Sequence, residues 1–195
     1  MKLTLASKSP RRKDLLQKSG LSFEVISPRF EEKPTSLSAA EETLYFAEEK
    51  ARSVAALCPN ALVIGSDTLI ECDGKKLGKP KDKKDAIRIL SALSGKQHVI
   101  HTAVVLLNTQ TNSLLKHREE VQVTFKKLSQ KEIETYVATG EPMGKAGAYA
   151  IQGKGKTLLE KVEGDEEAAI GLPLTTLKKW LKEMPREKPR GTFLK

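Results

Sequence analysis

The chain opens Met1-Lys2-Leu3-Thr4-Leu5-Ala6-Ser7-Lys8-Ser9-Pro10-Arg11-Arg12, and the change of character within this stretch decides how the rest is read. Residues 2–6 form an apolar run suited to a short buried strand. Ser9 and Pro10 then mark a helix start, because a serine side chain caps free first-turn N–H groups and proline fits the N1 position. The helix continues through RRKDLLQKSG and ends at Gly20. A strand feeding a helix across a short polar loop is also an anion site in outline. Free backbone N–H groups and the helix dipole face the loop, and arginine adds bidentate donors for phosphate oxygens. On spacing alone a plainer reading stands beside it, with Ser9 a cap and Arg11 and Arg12 solvated.

Working outward, LSFEVI reads as a second strand, and a polar segment, SPRFEEKPTS, leads to Ser38 and Glu41. These two have capping-box spacing and open a long helix with Ala40, Leu44, Ala47, Ala51 and Ala55 on its apolar side, stopped by Pro59. The run ALVIGSDTLIECDG predicts a strand interrupted at Gly65-Ser66-Asp67-Thr68, more strand, and a hairpin turn at Asp73-Gly74. Asp82 and Asp85 start a helix that spans Ala86 to Leu93 and is closed by Gly95. QHVIHTAVVLLN is a strand, and EEVQVTF places Val121, Val123 and Phe125 on one face, as an antiparallel strand would. Ser129 and Glu132 make a second capping box, and Pro173 begins a terminal helix with Leu177, Trp180 and Leu181 facing inward. Helices alternate with strands at both ends while the middle is antiparallel. The expected fold is therefore α/β with a mixed twisted central sheet flanked by helices.

A chain of 195 residues with 38% hydrophobic and 30% charged residues suits one soluble domain. We expect residues 1–184 to form it and residues 185–195 to be a basic, solvated tail, broken by Pro185, Pro189 and Gly191. No apolar stretch is long enough for a membrane span, and residues 3–6 are too short for the apolar core of a signal peptide. The expected location is the cytoplasm, with no membrane partner. Cys58 and Cys72 have neither disulfide-framework nor metal-site spacing. The net charge of +9 calls for an anionic partner, which nucleic acid, a membrane surface or a phosphorylated metabolite could each provide.

Asp67 is the acid singled out by position, on the far side of the apolar run 61–64. A carboxylate at a strand end can ligate Mg²⁺ or orient a water in the crevice where α/β proteins bind ligands, and it can equally form a turn. Glu31 and Glu32 offer a second oxygen ligand or a solvated loop charge. Lys50, Lys79 and Lys145 sit beside small or helix-breaking residues that allow close approach to a phosphate chain, although a surface role is the commoner fate of a lysine. His98 and His101 are three apart on a strand, on opposite faces, and do not form a ligand pair. The segment Gly153-Lys154-Gly155-Lys156-Thr157 imitates a P-loop but has Ala150 where a Walker A motif needs glycine.

In order and spacing, LASKSPRRKDLL, AEEKA, GSDTLI, LGKP, LSGKQH, LSQKEIETYVATGEP, KAGAYAIQG and GLPL resemble the Maf family of nucleotide pyrophosphatases, from residue 3 to about residue 181. The resemblance implies two lobes around a deep cleft, a fold akin to the inosine-triphosphate pyrophosphatases, and a homodimer. The implied reaction converts a nucleoside triphosphate and water to the monophosphate and pyrophosphate. By the same resemblance Asp67 is the catalytic proton acceptor, Ser7, Arg12, Lys50 and Lys79 hold phosphates, with Lys145 added to them on its small flanking residues, and Glu32 matches the acidic loop residue. Arg11, Thr68 and Gln152 resemble the specificity determinants of members acting on dTTP and UTP, and an amide such as Gln152 suits a pyrimidine edge. The implied cofactor is a divalent cation, Mg²⁺ or Mn²⁺, held by Asp67, Glu32 and the phosphates. Some members are linked to arrest of cell division and septum formation.

The sequence departs from the family pattern at Gly144, Ala103, Glu166 and Ala168, where aspartate, glycine, tyrosine and asparagine are usual. Two other readings compete. A nucleic-acid-binding module fits the charge, but aromatics are only 5% and no recognition motif is present. A non-catalytic regulator of division on the same fold would not need Asp67.

Overall fold

The structure is a computed structural model that describes residues 1–183, so the basic tail expected over 185–195 lies outside the described residues. β1 (Lys2–Ala6) leads through the capped start at Ser9 and Pro10 into α1 (Pro10–Lys18), as the opening stretch predicts. β2 (Glu24–Ile26), α2 (Ala39–Ala55), β3 (Ala61–Cys72), β4 (Lys75–Leu77) and α3 (Lys83–Leu93) follow. The second half contains β5 (Gln97–Asn108), β6 (Leu114–Phe125), α4 (Gln130–Ala138), β7 (Leu159–Glu163), α5 (Glu166–Ile170) and α6 (Leu174–Glu183). Both capping boxes form, Ser38 with Glu41 and Ser129 with Glu132.

The seven strands make one mixed sheet in the order β2-β1-β3-β5-β6-β7, with β4 paired to β3. β1 runs parallel to β2 and β3, and the pairs from β3 through β5 and β6 to β7 are antiparallel. α2 covers one face, where Ala47, Ala51 and Val54 meet Ala6, Val63, Ala103 and Val105. On the other face Leu16 of α1 and Leu174 and Leu177 of α6 pack with Leu5, Ile64, Val104 and Leu106. A third cluster lies toward the far end of the sheet, where α3 and α4 cover Ile100, Val121, Val123 and Phe125. The mixed α/β architecture matches the expectation.

Two local readings need correction. Residues 65–68 do not interrupt the strand, because β3 pairs with β5 without a break from Leu62 to Glu71. Gly65 is there for space: a Cβ on it would lie 2.0 Å from the Ala47 carbonyl oxygen and 2.9 Å from the Ala51 Cβ, so α2 rests on bare backbone. Asp67 is consequently inside a strand and not at its end. The inward stripe of α2 is also rotated from the one expected. Ala40 and Leu44 are only partly covered, while Thr43 and Lys50 are buried. Thr43 satisfies its hydroxyl on the Ala39 carbonyl and Lys50 finds carboxylates, so a polar residue can occupy each place.

Candidate active site

The site forms where β1 stops. β1 pairs with β3 as far as Gly65, and β4 pairs with β3 only from Ile70. Ser66 to Leu69 thus have β5 on one side and, among the described residues, no strand on the other. Into this gap project the Ser7–Arg12 loop and first helical turn, the polar loop carrying Glu32, and the segment around Lys145. They enclose a cleft of ≈ 690 Å³ lined by Ser7, Arg11, Arg12, Glu32, Lys50, Asp67, Thr68, Lys79 and Lys145. A crevice beyond the carboxyl end of a parallel strand is where α/β sheets bind ligands.

Asp67 points toward α2 and is only 6% exposed, as is Lys50. The Lys50 ammonium lies 2.5 Å from Asp67 Oδ1 and 2.5 Å from Glu32 Oε1, and Lys79 reaches Glu32 at 3.6 Å. The close seat of α2 on Gly65 brings Lys50 within reach of Asp67. Burial pushes the Asp67 carboxyl above the usual aspartate value, and Lys50 and Arg12 offset only part of that. Glu32 behaves oppositely: burial acts to raise it, but Lys50, Lys79 and Arg12 together hold it below the ordinary value. Two neighbouring acids are therefore driven apart in proton affinity, an arrangement that suits one of them to proton transfer.

Arg12 donates from Nε to the Gly171 carbonyl at 2.7 Å and from Nη2 to Thr68 Oγ1 at 3.0 Å. Buried Ser66 donates to the same carbonyl at 2.9 Å, so Gly171, just after α5, anchors Arg12 over the sheet. Ser7 accepts the Ser9 amide hydrogen at 3.0 Å, which leaves the hydroxyl proton of Ser7 free for an anion. Burial, then the adjacent Arg12, disfavour the Arg11 cation, a cost that an anionic ligand would relieve.

A second chamber of ≈ 270 Å³ opens from the same cleft. Its floor is apolar, with Ile70, Ile100, Tyr149, Ile151 and Ala169, and its polar lining includes Arg11, Thr68, Glu141, Lys145 and Gln152. Arg11, Thr68 and Lys145 line both chambers. Of the residues singled out from the sequence, Ser7, Arg11, Arg12, Glu32, Lys50, Asp67, Thr68, Lys79, Lys145 and Gln152 are thus brought to one cavity system, the phosphate candidates at its cationic end and Gln152 at the other, whereas Glu31 lies outside it, paired with Lys33 on the surface. Lys79 is half exposed at the mouth, and Lys145 is turned onto the Glu141 carbonyl. Sequence reading missed Ser66, Gly171, Tyr149 and Glu141. The first two act through tertiary hydrogen bonds that leave no local pattern, whereas the glycine density around residues 144–155 was an available signal of close backbone approach at the last two.

Asp67 and Glu32 fit the divalent cation expected of them. The two carboxylates already converge on a single cationic nitrogen, and among the described residues no group of three or more His, Cys, Asp or Glu side chains forms a closed metal cage. One or two carboxylates completed by substrate phosphates is how Mg²⁺ is usually held.

No helix among the described residues is long and apolar enough to cross a membrane. The sequence profile of the family described as Maf-like protein matches residues 2–184. The chain is 45% identical over 173 residues to a dTTP/UTP pyrophosphatase of Bacillus pumilus, covering 88% of this chain and 90% of that protein. It is 45% identical over 177 residues to the enzyme of the same name from Dictyoglomus turgidum, covering 90% and 92%, and 42% identical over 182 residues to that of Pelotomaculum thermopropionicum, covering 93% and 95%. The cleft at the end of β1, the acid on β3 and a match that runs through every described element lead to one conclusion: this chain belongs to the Maf family.

Proposed function

We propose that the protein hydrolyses nucleoside triphosphates, dTTP and UTP in particular, to the monophosphate and pyrophosphate. The observation that carries this reading is the buried Asp67–Lys50 pair, joined from the exposed loop by Glu32, in a cleft with a cationic end and an apolar end. The relatives named dTTP/UTP pyrophosphatase support the choice of substrate.

The triphosphate lies in the larger chamber against Ser7, Arg12, Lys50, Lys79 and Lys145, whose charges offset the phosphate oxygens. Asp67 accepts a proton from a water placed against the α-phosphorus. The water oxygen bonds to that phosphorus, the bond from it to the oxygen bridging to the β-phosphorus breaks, and pyrophosphate leaves. Lys50 orients the Asp67 carboxylate and keeps it charged enough to act, while burial keeps it basic enough to take the proton. Asp67 and Glu32 are the residues that would hold Mg²⁺ or Mn²⁺, which when bound supplies Lewis acidity and charge neutralisation at the phosphates. The nucleobase enters the smaller chamber, where apolar side chains take its faces and Arg11, Thr68 and Gln152 take its edge.

The test is a panel of dTTP, UTP, CTP, GTP and 7-methyl-GTP with the wild type and Asp67→Asn. Pyrophosphate from dTTP and UTP ahead of the others, with turnover in the variant down by at least about a thousandfold, is the expected result. Comparable turnover in a folded Asp67→Asn protein would remove Asp67 from the chemistry. A preference for a purine nucleotide would overturn the roles given to Arg11, Thr68 and Gln152.

A further inference from the structure

The glycine-rich segment that imitates a P-loop has an anion of its own. Glu141, in the turn after α4, accepts the Lys154 amide hydrogen on Oε1 at 3.1 Å and the Gly155 amide hydrogen on Oε2 at 2.7 Å. The fit depends on both glycines. A Cβ on Gly153, whose φ is +81°, would lie 2.5 Å from Glu141 Oε1, and one on Gly155 would lie 2.2 Å from the Ala150 carbonyl oxygen. Tyr136 sits against the same carboxylate, and its hydroxyl accepts the Ala150 amide hydrogen at 3.2 Å. The two ends of the turn that presents Gln152 are therefore tied, one to Tyr136 and the other to Glu141. Gln152 itself makes no side-chain hydrogen bond among the described residues and is exposed, so its direction is set by the backbone that carries it.

The geometry points to Glu141 as a positioning residue for base selection: its carboxylate occupies the amide donors of residues 154 and 155 and thereby fixes the turn from which Gln152 reaches the base. This rests on the proposed nucleotide reading of the smaller chamber. Backbone amides left without the carboxylate would lose two charge-assisted hydrogen bonds and the turn its single conformation. The hydrogen bonds that keep Glu141 ionised, from Tyr136 and the two amides, outweigh the burial that opposes it and hold its carboxyl below the ordinary glutamate value. Replacing the carboxylate by an amide turns a donor toward one of the two N–H groups, which the turn can accommodate only by moving.

The experiment compares Glu141→Gln and Glu141→Asp with the wild type, measuring kcat/KM for UTP, dTTP, CTP and GTP, and the inhibition constant of inorganic pyrophosphate, which reads the phosphate end alone. Glu141→Gln is expected to cut the ratio between the best and worst base by about tenfold or more, mainly through KM for the best one. Glu141→Asp should restore part of that ratio, and pyrophosphate inhibition should stay at the wild-type value. An unchanged ratio in folded Glu141→Gln, or a rise in the pyrophosphate constant in step with KM, would overturn the positioning role. If Glu141→Gln does not fold, Tyr136→Phe, which removes only the hydroxyl, must lower the ratio in the same direction, and an unchanged ratio there overturns it too. A wild type that discriminates no base would instead refute the nucleotide reading on which the proposal stands.

Discussion

Asp67 carries an energetic conflict whose sign can be measured. Its carboxyl is raised by burial, which Lys50 and Arg12 only partly offset, so ionisation at neutral pH works against the folded state. A group whose folded value lies above its unfolded one stabilises the fold below the unfolded value and loses that contribution as pH rises through the folded one. Asp67→Asn is accordingly expected to melt above the wild type in metal-free buffer, with a gap that widens as the pH rises from the unfolded aspartate value of about 4 toward the raised folded one. Glu32 at 2.5 Å remains as a partner for Lys50 in that variant. Thermal melts across the range check this, and a lower melting temperature for Asp67→Asn at the upper end would contradict it. Asp67 was legible in the sequence as an acid beside an apolar run. Its environment was not, since the two cations that surround it come from α1 and α2.

Among the elements, the contact of α2 with β3 controls the site. Gly65→Ala places a methyl group into the Ala47 carbonyl and Ala51, which only a shift of α2 can relieve. We expect a loss of about 1–3 kcal/mol in urea denaturation together with impaired turnover, because Lys50 rides on the displaced face. A wild-type midpoint would mean that α2 does not bear on the bare backbone of Gly65. The elements read correctly from sequence are those with local chemistry of their own. Ser9 with Pro10, Ser38 with Glu41 and Ser129 with Glu132 satisfy helix ends within a turn, and Asp73-Gly74 closes the β3–β4 hairpin. Gly65 to Thr68 looked like a break because glycine and aspartate are depleted in strands, and only the helix above and the strand beside them show why they stay extended. β7 and α5 escaped for a related reason. Each is five residues long, too short for a period, and β7 is defined by pairing with the distant end of β6.

Across the whole molecule, the net charge of +9 gains meaning from where the topology gathers it. Charge alone left nucleic acid, a membrane surface and phosphorylated metabolites open, and no local pattern, only the family resemblance, brought Arg12, Lys50 and Lys79 together. The sheet does so by ending β1 at Ala6 while β3 continues, which opens the gap that the cationic cleft occupies and that leads at one end into a chamber with an apolar floor. A groove for a nucleic-acid strand would instead run open along the surface, with aromatic platforms for its bases. Hydrolysis of UTP in isotopically labelled water, followed by phosphorus NMR and mass spectrometry of the products, locates the phosphorus that water attacks. Attack at the α-phosphorus gives pyrophosphate without label and uridine monophosphate carrying one labelled oxygen, both slower from Asp67→Asn by at least about a thousandfold. Release of single phosphate with label in it, or label in the pyrophosphate, would contradict it by placing the attack away from the α-phosphorus.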